Sequence, residues 1–182
     1  QPLHVPKSVD NQLPITDHCP GFGSVAKYIA LSTREASFDV ASMAKTSTKV
    51  FILEVMGRHA GWIAAAGGLA STKDTEIPIV ILFPEVSFDK AKFLATVDAN
   101  VKKYGYCTVV VSEGVKSPDG KFLADQGLKD AFGHAQLGGV APVVLAAPPG
   151  RPFWARYFSP RASASATWGR IGSMALASHA EA

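Results

Sequence analysis

The sequence predicts an α/β fold, a three-layer sandwich in which helices cover both faces of a mainly parallel sheet. Three short apolar runs, at residues 49–55, 77–83 and 106–112, predict the strands. Nearly continuous apolar runs of this length are typical of strands that are covered on both faces. Stretches with helical spacing lie between the runs, and strands that alternate with helices along a chain form parallel sheets.

Three helices are predicted around these strands. Residues 23–44 predict a long helix, and residues 61–71 predict a short one whose small side chains allow close packing on a sheet. The third helix follows Ser87, which we expect to be its N-cap. Apolar residues recur in it every three or four positions, at Phe88, Ala91, Leu94, Val97 and Val101. Lys102 and Lys103 would then lie at the negative end of its dipole.

Length and composition predict one globular unit. The chain has 182 residues, 47% of them hydrophobic and 18% charged. A charged share below the usual value of about 25% argues against disorder. No apolar run approaches the roughly 18 residues of a membrane helix, and the N-terminus lacks the layout of a signal peptide. We therefore expect a cytoplasmic protein without a membrane partner.

The net charge of +3 comes from the end of the chain. The first 140 residues carry fourteen basic and fourteen acidic side chains, whereas residues 141–182 carry four arginines and one glutamate. The balanced part has no cluster of basic residues, so no nucleic-acid partner is expected. Cys19 and Cys107 lack the spacing of metal ligands, and we expect both to be buried free thiols.

The chain divides into two parts at about residue 145. Residues 1–145 hold all the predicted strands and helices, whereas residues 146–182 are rich in Ala, Ser and Arg and contain no lysine. No periodicity is present in this second part. We interpret it either as a flexible basic tail or as non-native sequence, for example a translation that continued in a shifted frame.

The candidate site lies where apolar runs end. The carboxyl ends of parallel strands share one edge of a sheet, and ligands bind outside that edge. Runs at residues 3–5, 49–55 and 106–112 are followed by cationic, hydroxyl and carboxylate side chains. The residues concerned are Lys7, Ser8, Asp10, Met56, Gly57, Arg58 and Glu113.

These residue types suit phosphoryl transfer to an alcohol. The reaction needs a carboxylate to accept the hydroxyl proton and cations to stabilise the spreading phosphate charge. Asp10 can be the base, and Lys7 and Arg58 can hold phosphate. Glu113 can accept hydrogen bonds from sugar hydroxyls. The structural alternatives are an Asx-turn at Asp10, a salt bridge between Arg58 and Glu54, and an ordinary loop carboxylate at Glu113.

A competing glycine motif is present at Gly21, Gly23 and Ala26, which match the dinucleotide fingerprint G-x-G-x-x-A. The match is weak because the fingerprint needs a preceding strand, and residues 13–20 contain two prolines and no strand pattern. Asp39, at about the distance of the ribose-binding acid, falls inside a helical pattern. We expect the two glycines to open the long helix, whose N-terminal amides can face a phosphate.

Four segments together resemble the phosphofructokinases, closest to the pyrophosphate-dependent group. They are VPKSVDNQLPITDHCPGFGSVAKYIA, VFILEVMGRHAGWIAAAGGLA, VVVSEGV and GHAQLGG, in this order and spacing. The resemblance covers about residues 6–142, which is the middle of a family member. It therefore implies a phosphofructokinase-like sandwich that is incomplete.

The resemblance implies transfer of a phosphoryl group from pyrophosphate to the 1-hydroxyl of fructose 6-phosphate, with Mg²⁺, in glycolysis or gluconeogenesis. Asp10 matches the general base of the family, and Ser8 the neighbouring residue that contacts substrate. The sugar-phosphate loop matches Met56, Gly57 and Arg58, in which Arg58 steadies the transferring group. Glu113 matches the carboxylate that binds the sugar.

Three further positions bear on the donor and on assembly. Lys7 stands where ATP-dependent members commonly have glycine, so its charge and bulk are expected to favour pyrophosphate. Lys49 lies where ATP-using relatives carry an arginine that reaches a neighbouring subunit's site, which implies a homo-oligomer. His134 lies in the segment that helps to hold the 6-phosphate, although a plain turn is the alternative there.

The chain also departs from the family pattern. Asp10, Asn11 and Gln12 stand where the family has DND, so an amide replaces a carboxylate near the metal, and no metal ligand is assigned. We expect the glycine-rich donor loop upstream of Gln1. The segment ending at Arg161 resembles the family's downstream aromatic-x-x-Arg element too loosely to take its role. The alternatives are an ATP-dependent member and a catalytically incomplete fragment that binds sugar phosphate.

Overall fold

The computed structural model describes residues 8–46, 48–129, 135–145, 164–166 and 174–176. The elements, in chain order, are α1 (Phe22–Met43), β1 (Val50–Val55), α2 (Trp62–Ala66), a 3₁₀ turn (Gly67–Ala70), β2 (Ile79–Leu82), α3 (Lys90–Tyr104), β3 (Cys107–Ser112), β4 (Asp125–Lys129), β5 (Ala135–Leu137), α4 (Val140–Leu145), β6 (Ala164–Ala166) and β7 (Met174–Leu176).

The main sheet has the strand order β2-β3-β1-β7-β6. β3 lies between β1 and β2 and is parallel to both, whereas β7 is antiparallel to β1. The three strands that the sequence predicts, β1, β2 and β3, are parallel, so the predicted α/β fold is confirmed. The register pairs Val55 with Ser112, so the carboxyl ends of β1 and β3 are side by side. The loops that follow these two strands therefore begin next to each other.

Side chains alternate between the two faces of the sheet and build a core on each. Val50 and Ile52 of β1 pack with residues of α3 and α4. Phe51, Leu53 and Val55 pack on the other face with residues of α1 and α2. All residues of β1 and β3 are buried, as the apolar runs predict. The three-layer arrangement is confirmed.

The N-cap of α3 differs from the prediction. It is Asp89, whose carboxylate accepts a hydrogen bond from the Lys92 N–H at 3.0 Å, and not Ser87. Ser87 forms an isolated β-bridge with Lys116, and the Phe88 N–H donates to the Lys116 carbonyl at 2.8 Å. The chain therefore stays extended through Phe88, and the helix begins later than predicted.

α1 begins as predicted at the glycine motif. Gly21 is its N-cap with a φ of 94°, a value that favours glycine. No strand precedes Gly21 among residues 8–20, and Asp39 lies within α1. The dinucleotide fingerprint therefore lacks the strand that it requires. Cys19 and Cys107 are buried free thiols, which confirms that prediction.

The division of the chain at residue 145 stays a prediction. β6 and β7 contribute two short antiparallel strands beside β1, and the rest of residues 146–182 lies outside the described residues. No helix in the described part of the chain combines the length and apolar character needed to cross a membrane.

Candidate active site

Two loops meet where β1 and β3 end. We call residues 56–61 the arginine loop and residues 113–115 the acid loop. The Glu113 N–H donates to the Val55 carbonyl at 2.9 Å, which extends the ladder by one step. The Ser112 hydroxyl donates to the Gly57 carbonyl and accepts from the Gly114 N–H at 3.2 Å. The Ser112 side chain therefore joins the two loops at Gly57 and Gly114, the second residue of each loop.

Two glycines allow this close approach. Gly57 has a φ of 127°, and a Cβ on it would lie 2.5 Å from the Ala60 carbonyl oxygen. A Cβ on Gly114 would lie 2.0 Å from the Arg58 carbonyl oxygen. Real Cβ contacts are never so short, so a side chain at either position would force the loops to move. The backbones of Gly114 and Arg58 are thus in direct contact.

We call the edge formed by the arginine loop, the acid loop and the loop of residues 8–11 the rim. Glu113 is the acidic residue of the acid loop at this rim. Burial is the main cause that raises the pKa of its carboxyl group. A hydrogen bond from the Gly57 backbone and the positive charge of Arg58 lower this pKa, whereas the negative charges of Asp10 and Glu54 raise it. Asp10 and Arg58, from two other segments, are thus each close enough to Glu113 to act on its carboxyl group electrostatically.

Asp10 is held on this rim by its neighbours in the chain. Val9 packs on the core cluster beneath α1, and Asp10 itself is half-buried. Asn11, with a φ of 56°, donates its N–H to the Ser8 carbonyl at 3.2 Å. Its side-chain oxygen also accepts from the Cys19 N–H at 2.8 Å. Asn11 therefore shapes the loop that carries Ser8 and Asp10.

Other predicted site residues have different positions. Met56 is exposed at the start of the arginine loop. Lys49 precedes β1, and its ammonium group donates to the Ala44 carbonyl just after α1. Six strand residues of about 3.3 Å each separate it from the rim, so Lys49 does not join the site of its own chain. Lys7 and His134 lie outside the described residues.

Glu54 is a charged residue at the rim to which sequence reasoning assigned no role of its own. It is buried in β1, and its carboxylate accepts a hydrogen bond from the Ala141 N–H at 3.0 Å, at the start of α4. Among the described residues, no salt bridge joins it to Arg58. The structural alternative proposed for Arg58 is therefore not supported. A glutamate inside an apolar run was the available signal.

A cleft of about 1010 Å³ lies next to the rim. It is bordered by Asn11 and Gln12 from the Asp10 loop, by His59 from the arginine loop, and by Phe22 and Trp62. The Phe22 and Trp62 rings meet edge to face with centroids 6.5 Å apart. Sequence reasoning did not single out these aromatic residues, because they lie on two helices whose packing it could not place.

The described residues do not form a metal site by themselves. Within them, no group of three or more His, Cys, Asp or Glu side chains is arranged to hold a metal ion. Gln12 supplies a neutral amide at the position where the family that the sequence resembles has a carboxylate.

Comparison with known proteins identifies the family. A family model described as phosphofructokinase matches residues 1–145. The chain belongs to the phosphofructokinase family. A pyrophosphate–fructose 6-phosphate 1-phosphotransferase of Methylococcus capsulatus is 68% identical over 144 residues, which are 79% of this chain and 34% of that protein. A protein of the same name from Halomonas elongata is 66% identical over 142 residues, 78% of this chain and 34% of its own.

A solved structure agrees with this assignment. The pyrophosphate-dependent phosphofructokinase of Nitrosospira multiformis is 73% identical with a TM-score of 0.68, covering 78% of this phosphofructokinase chain and 32% of that one. The chain therefore spans about a third of the length of the curated relatives that it matches. The comparisons therefore show the family and the fold of this chain.

Proposed function

We propose that the whole protein transfers a phosphoryl group from pyrophosphate to the 1-hydroxyl of fructose 6-phosphate, and that this chain supplies the sugar side of the site. The observation that carries the proposal is the direct contact of the arginine loop with the acid loop, which brings the Arg58 backbone against Gly114, with Asp10 near enough to act on the Glu113 carboxyl group. The names of the relatives from Methylococcus and Halomonas support both the substrate and the donor.

Each rim residue has a role in this proposal. Asp10 accepts the proton of the attacking 1-hydroxyl, because phosphoryl transfer to an alcohol needs a base beside the nucleophile. Arg58 faces the transferring group and stabilises its charge through its fork of N–H donors. Glu113 accepts hydrogen bonds from sugar hydroxyls. Ser8, Met56 and Gly57 line the path of the sugar phosphate.

The remaining expectations belong to the whole protein. We propose that it uses Mg²⁺, acts in the cytoplasm and assembles as a homo-oligomer. Lys49, which lies away from its own rim, would then serve a neighbouring subunit, and His134 would help to hold the 6-phosphate. Lys7 would favour pyrophosphate over ATP, because its bulk and charge suit a bare diphosphate.

An activity assay tests the proposal. By the parent protein we mean the whole protein that contains this chain. The parent protein and the 182-residue chain are each incubated with fructose 6-phosphate, Mg²⁺ and either pyrophosphate or ATP, and fructose bisphosphate is measured. The proposal predicts product from the parent protein with pyrophosphate and a much smaller amount with ATP. Absence of product from the parent with pyrophosphate would contradict it, and equal turnover with both donors would contradict the choice of donor.

A second candidate function for the chain in isolation is sugar-phosphate binding without turnover. It is favoured because the described residues include Asp10, Arg58 and Glu113, the groups proposed for the sugar side, whereas no group of three or more His, Cys, Asp or Glu among them is arranged to hold a metal ion. Calorimetric titration of the chain with fructose 6-phosphate distinguishes the two. Binding without product from either donor supports the binding function, whereas product formation by the chain alone excludes it.

A further inference from the structure

Ser112 lies at the junction of the two rim loops and is fully buried. Its hydroxyl donates to the Gly57 carbonyl and accepts from the Gly114 N–H, so one side chain holds the arginine loop and the acid loop together. A hydroxyl has one donor and two acceptor sites, and the donor is committed to Gly57.

The bond to Gly57 fixes the peptide unit that leads into Arg58. Gly57 has a φ of 127°, so its backbone is free to adopt other conformations unless its carbonyl is held. Holding that carbonyl directs the Arg58 side chain and keeps the Gly57 backbone in its hydrogen bond to Glu113. The bond from Gly114 places the acid loop against the Arg58 backbone at the same time.

We propose that Ser112 is a positioning residue for sugar binding: its hydroxyl fixes Arg58 and Glu113 relative to each other through Gly57 and Gly114. The consequence for sugar affinity rests on the proposed function. The consequence for the rim itself does not, because the geometry of Gly57 and Glu113 is set without ligand. Removing the hydroxyl releases the Gly57 peptide unit and weakens its hydrogen bond to Glu113.

The test compares Ser112→Ala with Thr108→Val in the 182-residue chain. Thr108 is a matched control, since it is also fully buried in β3 and its hydroxyl lies 2.8 Å from the Ser37 hydroxyl, away from the rim. Two quantities are measured: the dissociation constant for fructose 6-phosphate and the pKa of the Glu113 carboxyl by NMR titration. The charged groups that act on Glu113 are Arg58, Asp10 and Glu54, and none of them is altered.

The expected result is that Ser112→Ala weakens sugar binding about tenfold, the loss of roughly one good hydrogen bond. It also raises the pKa of Glu113, because the Gly57 hydrogen bond that lowers it is weakened. Thr108→Val changes neither quantity, although it removes a buried hydroxyl as well. Equal behaviour of the two variants would overturn the proposal, since a purely structural hydroxyl predicts it.

Two further outcomes are covered by the design. If Ser112→Ala does not fold, Ser112→Cys keeps the shape of the side chain with a larger and weaker donor, and an unchanged pKa of Glu113 in that variant overturns the proposal. If the wild-type chain binds no fructose 6-phosphate, the proposed function of this chain fails. The pKa comparison needs no ligand and still decides the role of Ser112.

Discussion

Glu113 shows how the environment of one side chain makes stability depend on pH. Burial opposes ionisation of its carboxyl group, and the nearby charges of Asp10 and Glu54 oppose it further. Arg58 and the Gly57 hydrogen bond compensate only in part, so the pKa of Glu113 stays above its ordinary value. Between the ordinary pKa of the unfolded chain and the raised pKa of the folded state, the folded state binds more protons than the unfolded state. Stability from this group is therefore lost as the pH rises through the folded-state pKa.

Replacement of this carboxylate tests the sign of the effect. Glu113→Gln removes the ionisable group. As the pH rises from 4 to 7, the unfolding free energy of this variant should therefore fall less than that of the wild type. Urea unfolding at both pH values measures the difference, with Glu35→Gln on the exposed face of α1 as the control. A steeper loss in Glu113→Gln would contradict the assigned environment. Sugar binding should weaken about tenfold or more, because a charged acceptor is lost.

Asp10 carries the chemical step in the proposed function. Asp10→Asn keeps the shape of the side chain but cannot accept the hydroxyl proton, so kcat of the parent protein should fall by about 10²–10⁴. The dissociation constant for fructose 6-phosphate should change only about threefold, since the rest of the rim is kept. Steady-state kinetics and calorimetry measure the two values. Asp39→Asn on α1 serves as the control, and full activity of Asp10→Asn would exclude Asp10 as the base.

The adjacency of the loops that carry Arg58 and Glu113 could be predicted from sequence, because the ends of the parallel strands β1 and β3 share one edge of the sheet. The run predicted before Asp10 lies outside the described residues. The supporting contacts could not be predicted. Ser112 bonds Gly57, which is 55 positions away, and Glu54 bonds Ala141, which is 87 positions away. Such partners depend on how the loops fold back. Periodicity carries no information about them.

Strands and helices were easier to predict than their ends. β1 and β3 are buried on both faces, so every position in them is apolar or hydrogen-bonded and the run is visible in the sequence. The start of α3 was misplaced because it depends on the bridge between Ser87 and Lys116, a contact made across the fold. Local capping preference favours serine and aspartate alike, so it could not choose between Ser87 and Asp89.

The cap assignment has a direct test. Asp89→Ala removes the acceptor for the Lys92 N–H and should lower the free energy of unfolding by about 0.5–2 kcal/mol. Ser87→Ala is the matched control, because this serine precedes the helix, and a change within about 0.5 kcal/mol is expected. Chemical unfolding measures both. A larger effect at Ser87 than at Asp89 would contradict the observed start of α3.

Lys49 bears on the proposed homo-oligomer. It lies at the amino end of β1, away from the rim, and contacts the Ala44 carbonyl. Within one chain it can therefore not touch a sugar phosphate bound at the rim. The proposed role for Lys49 needs a second subunit, which links it to the proposed homo-oligomer.

Choice of the phosphoryl donor is a property of the whole protein. Lys7→Gly in the full-length parent should raise turnover with ATP relative to pyrophosphate by about tenfold or more. The reason is that the substitution removes a bulky cation that disfavours ATP, and a tenfold change in the ratio corresponds to about 1.4 kcal/mol. Initial rates with each donor at saturating fructose 6-phosphate give the ratio. Lys27→Gly, at an exposed position of α1, is a control for loss of a lysine. An unchanged ratio would remove Lys7 from the account of donor choice.

A crystal structure of the chain with fructose 6-phosphate tests the assignment of the rim most directly. We predict that the sugar lies between the three segments, with a hydroxyl in hydrogen-bond distance of the Glu113 carboxylate and the 1-hydroxyl beside Asp10. The Arg58 side chain should face the same 1-hydroxyl. A sugar phosphate bound elsewhere on the molecule, with Asp10, Arg58 and Glu113 out of contact with it, would contradict the assignment.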